Sequence, residues 1–126
     1  MVKLVLLKKP APGVSRGELI EYLQEVHGPR NSALPGNEYS LSVQVDPEDH
    51  EAVPDDIEYY DEMETVPAQP EDTRYDALEI HEFDTMADLI EAHSTDDAEQ
   101  AADDLSEIID FEDEVAFVVE DEPLDE

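Results

Sequence analysis

The chain has no cysteine and no tryptophan, only four glycines in 126 residues, and only six Lys or Arg against 37 Asp or Glu. Each shortage excludes something. Without cysteine there is no disulfide framework, no thiolate nucleophile and no Cys-based zinc site. With so few glycines there is no glycine-rich phosphate loop and no Gly-x-Ser-x-Gly elbow, so a nucleotide cofactor has little to hold it. No apolar run approaches the roughly 20 residues of a membrane-spanning helix. The opening run from Met1 to Leu7 is too short for the apolar stretch of a secretion signal before Lys8, Lys9 and Pro10 interrupt it. A formal charge of -31 repels nucleic acid. These absences predict a cytoplasmic protein with no cofactor, no membrane and no nucleic-acid partner, folded as one domain over residues 1–126.

The charge that is present is unevenly spread. Residues 1–45 carry five cations against four acids, whereas residues 46–126 carry 33 acids against the single Arg74. The acids lie on nearly every element rather than in one block, so they decorate a fold instead of forming a disordered tail or a mimic of nucleic acid. At molar salt the Debye length shrinks to about 3 Å and the self-repulsion is screened, leaving a hydrated carboxylate surface. That is the composition of a protein from a halophile that accumulates salt.

Val2 to Lys9 reads as a strand, apolar on both faces, with Val2, Leu4 and Leu6 opposite Val5 and Leu7. Ser15 and Glu18 form a capping box that opens a helix with a buried stripe of Leu19, Tyr22, Leu23 and Val26. Its end is expected at about His27, where Gly28 is free to take a left-handed cap and Pro29 cannot continue the helix. After the Pro35–Gly36 turn, Tyr39, Leu41, Val43 and Val45 alternate with Ser40, Ser42 and Gln44 as a half-buried second strand. Residues 46–74, with twelve acids, four prolines and no glycine, read as a long acidic excursion that Ile57, Tyr59, Tyr60 and Met63 can anchor.

Tyr75 to Phe83 is a third strand, with Leu78 and Ile80 opposite Tyr75, Ala77, Glu79 and His81. Thr85 caps a short helix carrying Met86, Leu89 and Ile90, and Thr95 caps a second carrying Ala98, Ala101, Ala102 and Leu105. Val115 to Val119 is a fourth strand, again apolar on both sides, and 120–126 is an acidic tail that frays. The order predicts an α+β, ferredoxin-like βαββαβ plan, with a four-stranded antiparallel sheet and helices on one face. The other face needs cover, and a second copy of the sheet supplies it, giving a homodimer with a barrel-like core.

Tyr22-x-x-x-x-His27-x-Pro29, Leu34-Pro35-Gly36, Tyr75-Asp76-Ala77-Leu78-Glu79-Ile80, Phe83-Asp84 and Val115 to Val119 together resemble the EthD family of the dimeric α/β-barrel superfamily. The resemblance spans the chain except residues 46–74. It departs at Leu23, where such proteins commonly carry tryptophan. It implies a cofactor-independent protein acting on a small hydrophobic metabolite, since members are linked to degradation of ethers and aromatics and relatives isomerise muconolactones or dehydrate polyketides.

His27, four residues after Leu23, leans toward the apolar side of its helix and can take or give a proton at a carbon beside a carbonyl. The plain alternative is a histidine that caps the helix. Tyr22 is expected not to stack under His27, five residues on, yet to border the same cavity and donate to a carbonyl oxygen that gains charge. Tyr39, Arg30 and His81 are candidate substrate-binding residues. Arg30, Lys3, Lys8 and Lys9 can guide an anionic substrate inward, or simply pair with neighbouring carboxylates. The pairs His81 with Glu79 and His93 with Glu91 lack metal-ligand spacing, and the run from Asp46 to Glu51 lacks that of a calcium loop, so no metal is expected. The leading expectation is an isomerase- or lyase-type enzyme with His27 and Tyr22 as its catalytic pair. The alternatives are a non-catalytic dimeric binding protein and a cofactor-free monooxygenase.

Overall fold

A computed structural model describes residues 1–44 and 75–123. The acidic excursion over 46–74, with its expected anchors and Val45 before it, falls outside the described residues, as does the end of the acidic tail.

Four strands, β1 (Val2–Lys8), β2 (Glu38–Val43), β3 (Ala77–Phe83) and β4 (Val115–Glu120), form one antiparallel sheet in the order β2-β3-β1-β4. The first helix is built of α1 (Arg16–Tyr22), a π-helical turn (Leu23–His27) and α2 (Gly28–Ser32). α3 (Met86–Ala92) and α4 (Asp96–Leu105) follow β3. This is the α+β ferredoxin-like plan that the alternation of periods dictates, with both helical arms on one face of an antiparallel sheet. Glu120 still pairs with Val2, and Asp121 meets Lys3 at 3.1 Å, so the strand runs further into the acidic tail than its charge suggested.

Local chemistry starts the helices where the sequence places them. Ser15 Oγ accepts from the Glu18 N–H at 3.1 Å while Glu18 accepts from the Ser15 N–H, closing the capping box. Thr85 and Thr95 accept from the N–H groups of Asp88 and Ala98, each at 3.1 Å.

The first helix does not end at Gly28. Gly28 sits at φ -59° in the right-handed region, and the chain continues helically to Ser32. Its N–H reaches back five residues to the Leu23 carbonyl, and this wider turn lets the helix pass Pro29, which has no N–H to give and would crowd an ordinary α-turn. Glycine is needed for closeness rather than for a left-handed backbone. A Cβ there would lie 2.6 Å from the Leu23 oxygen and 3.2 Å from Tyr39 Cε1. The extra residue in the turn also rotates the helix face. Leu19, Leu23 and His27 are buried, Tyr22 is half-buried, and Val26, expected in the stripe, is exposed.

The core divides into two apolar clusters under the helices. One gathers Leu19, Leu23, Ala77, Leu105 and Ile109, and the other Val2, Phe83, Leu89 and Ala92. The inward residues of β3 run Ala77, Glu79, His81, Phe83, so each cluster holds one end of the strand and a polar pair lies buried between them. Met86 and Ile90 of α3 point outward instead. On the opposite face of the sheet, Leu7 stands between Leu78 and Val115, and Val5 between Ile80 and Phe117, with no layer over them among the described residues.

Candidate functional site

The centre of the site is a buried carboxylate. Glu79 is fully buried, with Oε1 3.1 Å from Lys8 Nζ and Oε2 accepting a short hydrogen bond from the Tyr39 hydroxyl. Lys8, only 2% exposed, also pairs with Glu114 at 2.5 Å. Burial pushes the Lys8 amine down from its usual range, against the opposing pull of Glu114. Lys8 is thus a structural counter-ion inside the fold and not a surface guide.

His27 stands on the other side of the carboxylate, with Nε2 3.6 Å from Glu79 Oε2. The ring is nearly buried, and burial, aided by the Lys8 and Arg30 charges, lowers its pKa from 6.5 to about 4. It is neutral at pH 7. At 3.6 Å Nε2 lies beyond hydrogen-bond reach of the carboxylate, and Nδ1 is buried and has no hydrogen-bond partner.

A chain of amides sets the second histidine. The Leu34-Pro35-Gly36-Asn37 segment closes with the Asn37 N–H on the Leu34 carbonyl at 3.1 Å, and Gly36 at φ +76° supplies the left-handed position of this type II turn. The turn delivers the Asn37 side chain, whose NH₂ donates to the Asn31 carbonyl at 2.8 Å and meets His81 Nδ1 at 3.1 Å. A carbonyl can only accept, so the amide orientation is fixed and His81 Nδ1 is an acceptor. The His81 proton therefore sits on Nε2. Burial lowers the pKa of His81 to about 3, with smaller contributions from His93, His27 and Lys8. His93, in turn, donates from Nδ1 to the Leu89 carbonyl at 3.0 Å and faces His81 edge-on at 5.2 Å.

The three histidines, with Lys8 and Glu114, line a cavity of about 130 Å³ beneath α4, whose apolar walls include Leu4, Leu6 and Phe111. His27 and His81 are brought together there. Tyr39 belongs to the same cluster, its ring 5.1 Å from that of His81, but its hydroxyl is committed to Glu79, and burial holds its pKa above the usual phenol value. Tyr22 stacks on His27 after all, with ring centres 6.4 Å apart and planes at 22°. In an α-helix residues five apart diverge, whereas the π turn places them on one face. Tyr22 does not line the cavity. Burial raises its pKa, and its electrostatic neighbours are Arg30, Asp104 and Glu107. Arg30 lies outside the cavity too, paired with Asp104 at 2.5 Å and bordering a groove between α2 and α4.

No protein-family profile and no curated protein matches the sequence. Solved structures do. A crystal structure of an EthD family protein from Bacillus halodurans C-125 superposes with a TM-score of 0.62 at 15% identity, covering 97% of this chain and 99% of that one. A protein of Arabidopsis thaliana gives 0.67 at 14% identity, with 99% of each chain covered. A dimeric ferredoxin-like protein of unknown function from Thermobifida fusca YX gives 0.61 at 13%, covering 94% of this chain and 88% of that one. The chain has the fold of an EthD family protein. The resemblance read from the motifs therefore holds at the level of the fold.

Glu79, Asn31 and Asn37 were not singled out as site residues by the sequence, and Lys8 and His93 were weighed for other roles. A signal was available for some of them. Lys8 is in phase with Val2, Leu4 and Leu6, and Glu79 and His81 are in phase with Ala77 and Phe83, so period-2 alternation puts each on one face with those apolar residues. Asn37 has no such signal, because its role depends on a turn meeting a strand 44 residues away. Lys3 pairs with Asp121, and Lys9 lies 5.0 Å over the Tyr75 ring. His81 and His93 adjoin, yet among the described residues no group of three His, Cys, Asp or Glu converges on a common point.

Proposed function

We propose that the protein is a cofactor-independent enzyme of isomerase or lyase type that moves a proton at a carbon next to the carbonyl of a small hydrophobic ketone or lactone. The observation that carries this reading is His27 itself: a neutral, buried imidazole with an unpartnered Nδ1 and with Nε2 3.6 Å from the Glu79 carboxylate, on a ring that lines a cavity. A ring nitrogen of His27 accepts the proton from carbon. Glu79 steadies the imidazolium that forms, and a conjugate acid this strong returns the proton readily to the neighbouring carbon or leaving group. His81, with its proton on Nε2, is the group placed to donate to the carbonyl oxygen as charge develops there. Tyr22 acts through its stack on the His27 ring.

The reading includes a homodimer formed through the open sheet face. Leu7, Leu78, Ile80, Val115 and Phe117 form a contiguous apolar surface across three strands, and structural neighbours are described as dimeric. It also places the protein in a salt-rich cytoplasm, on the strength of its acidic surface.

The experiment is deuterium exchange. Lactones and phenolic ketones are incubated with the protein in D₂O at molar potassium chloride, and exchange at the carbon beside the carbonyl is followed by NMR. Wild type accelerates exchange, and His27→Gln, which keeps the volume and the helix, lowers the rate by roughly a hundredfold or more. Undiminished exchange in the variant removes His27 from the mechanism. Binding with no exchange in either protein favours a dimeric binding protein. Light scattering at the same salt decides the dimer, and a monomeric mass rejects it.

A further inference from the structure

The cavity at His27 holds only about 130 Å³, roughly the room of four water molecules, whereas sites for metabolite-sized ligands occupy about 300–1,000 Å³. Beside it, between α2 and α4, lies the groove of about 490 Å³ that Arg30 borders. Asn31, Ala98 and Ala101 line both spaces. Two of these wall residues are alanines that project nothing past Cβ, so the partition between groove and cavity is thin. On its inner side stand His27 with its unpartnered nitrogen and His81, each more than nine-tenths buried.

We infer that groove and cavity form one two-part binding site, in which the groove takes the uncharged apolar tail of a ligand whose carbonyl head reaches His27. The inference rests on the reading of His27 as the reactive end and adds the ligand's shape. The groove is apolar along Ala33, Leu34, Pro35, Ala98 and Ala101. Its only cation, among the residues lining it, is Arg30, which is held by Asp104, and that carboxylate also accepts from Gln100 at 2.9 Å. Asp97 lies on the same rim. An anionic tail meets the Asp97 carboxylate on the rim and a cation already held by Asp104, so the fitting occupant is an alkyl or aryl chain. Ala98, at the junction, decides how long a chain can pass.

The test uses the full chain at molar potassium chloride and a series of γ-lactones with unbranched 4-alkyl chains of zero to six carbons, titrated calorimetrically. Affinity is expected to rise about fourfold per added methylene, the factor that corresponds to about 0.8 kcal/mol per buried CH₂. Ala98→Leu, which keeps a good helix former on α4, is expected to flatten the rise for chains beyond two carbons, measured against the unsubstituted lactone in the same variant. Ala98→Val, a smaller plug at the same position, flattens it less. His27→Gln leaves the chain-length dependence intact while removing exchange, so failure of the catalytic reading is distinguishable from failure of this one. Absence of binding by any member, affinity that does not grow with chain length, or an unaltered series in both Ala98 variants overturns the two-part site.

Discussion

Gly28→Ala tests whether the π turn is held by close packing. In an ordinary helix the change is favourable, because alanine is about 1 kcal/mol better than glycine in a helix interior. Here the added Cβ meets the Leu23 carbonyl oxygen at 2.6 Å and Tyr39 Cε1 at 3.2 Å. The oxygen belongs to the backbone and accepts the Gly28 N–H, so it cannot swing aside without breaking the turn. Overpacking of this kind costs about 1–3 kcal/mol, and with a backbone obstacle the upper half applies, leaving a net loss of about 1–2 kcal/mol after the propensity gain. At roughly 4 °C per kcal/mol for a chain of this size, Tm falls by about 4–8 °C. Thermal unfolding followed by circular dichroism in molar potassium chloride reads the shift. Gly28→Asn gives the contrast. Asparagine suits a left-handed cap, so a Gly28 in that conformation would tolerate it, whereas the π turn makes it at least as damaging as alanine. A Tm for Gly28→Ala at or above wild type would refute the packing argument, and a benign asparagine beside a harmful alanine would restore the left-handed cap.

Lys8→Met strips Glu79 and Glu114 of their shared ammonium, and leaving a carboxylate buried without its partner lowers stability by about 3–5 kcal/mol; urea unfolding should show that loss largely recovered in Lys8→Met with Glu79→Gln, and a loss that persists in the double variant counts against the pair. His27 and His81 have folded pKa values of about 4 and about 3, below the unfolded value of 6.5, so as pH falls through 6.5 the unfolded chain takes up protons that the folded one refuses. Stability therefore drops on acidification from pH 6.5 toward 4, by up to about 1.4 kcal/mol per pH unit for each histidine. His27→Gln should make that slope shallower by close to one proton, and an identical slope would mean that His27 titrates normally. Dilution from molar to tenth-molar potassium chloride lengthens the Debye length from about 3 to about 10 Å and should lower Tm; an unchanged Tm argues against a salt-screened acidic surface.

The sequence by itself determined what depends on neighbours along the chain. The Ser15–Glu18 box, the Thr85 and Thr95 caps and the Pro35–Gly36 turn are decided within four residues, because a cap or turn satisfies its hydrogen bonds locally. Alternation at period 2 separated Leu78 and Ile80 from Glu79 and His81, and the order of periods was enough for the βαββαβ plan. It also put His27 on the inner side of its helix. Tertiary structure decided which face each alternation buries, and so turned Lys8 and Glu79 from apparent surface charges into the buried pair behind His27. It decided the course of the chain at Gly28, where the proline argues for a stop in any local view and only the wider turn, packed against Tyr39 of another element, carries the helix on to Ser32. The same turn stacked Tyr22 on His27. The proton positions on His81 and His93 were likewise settled by Asn37 and by the Leu89 carbonyl. The reason is common to all of these. Periodicity and caps act over one turn or one strand, whereas burial, desolvation and the partner of a polar atom are set by residues dozens of positions away.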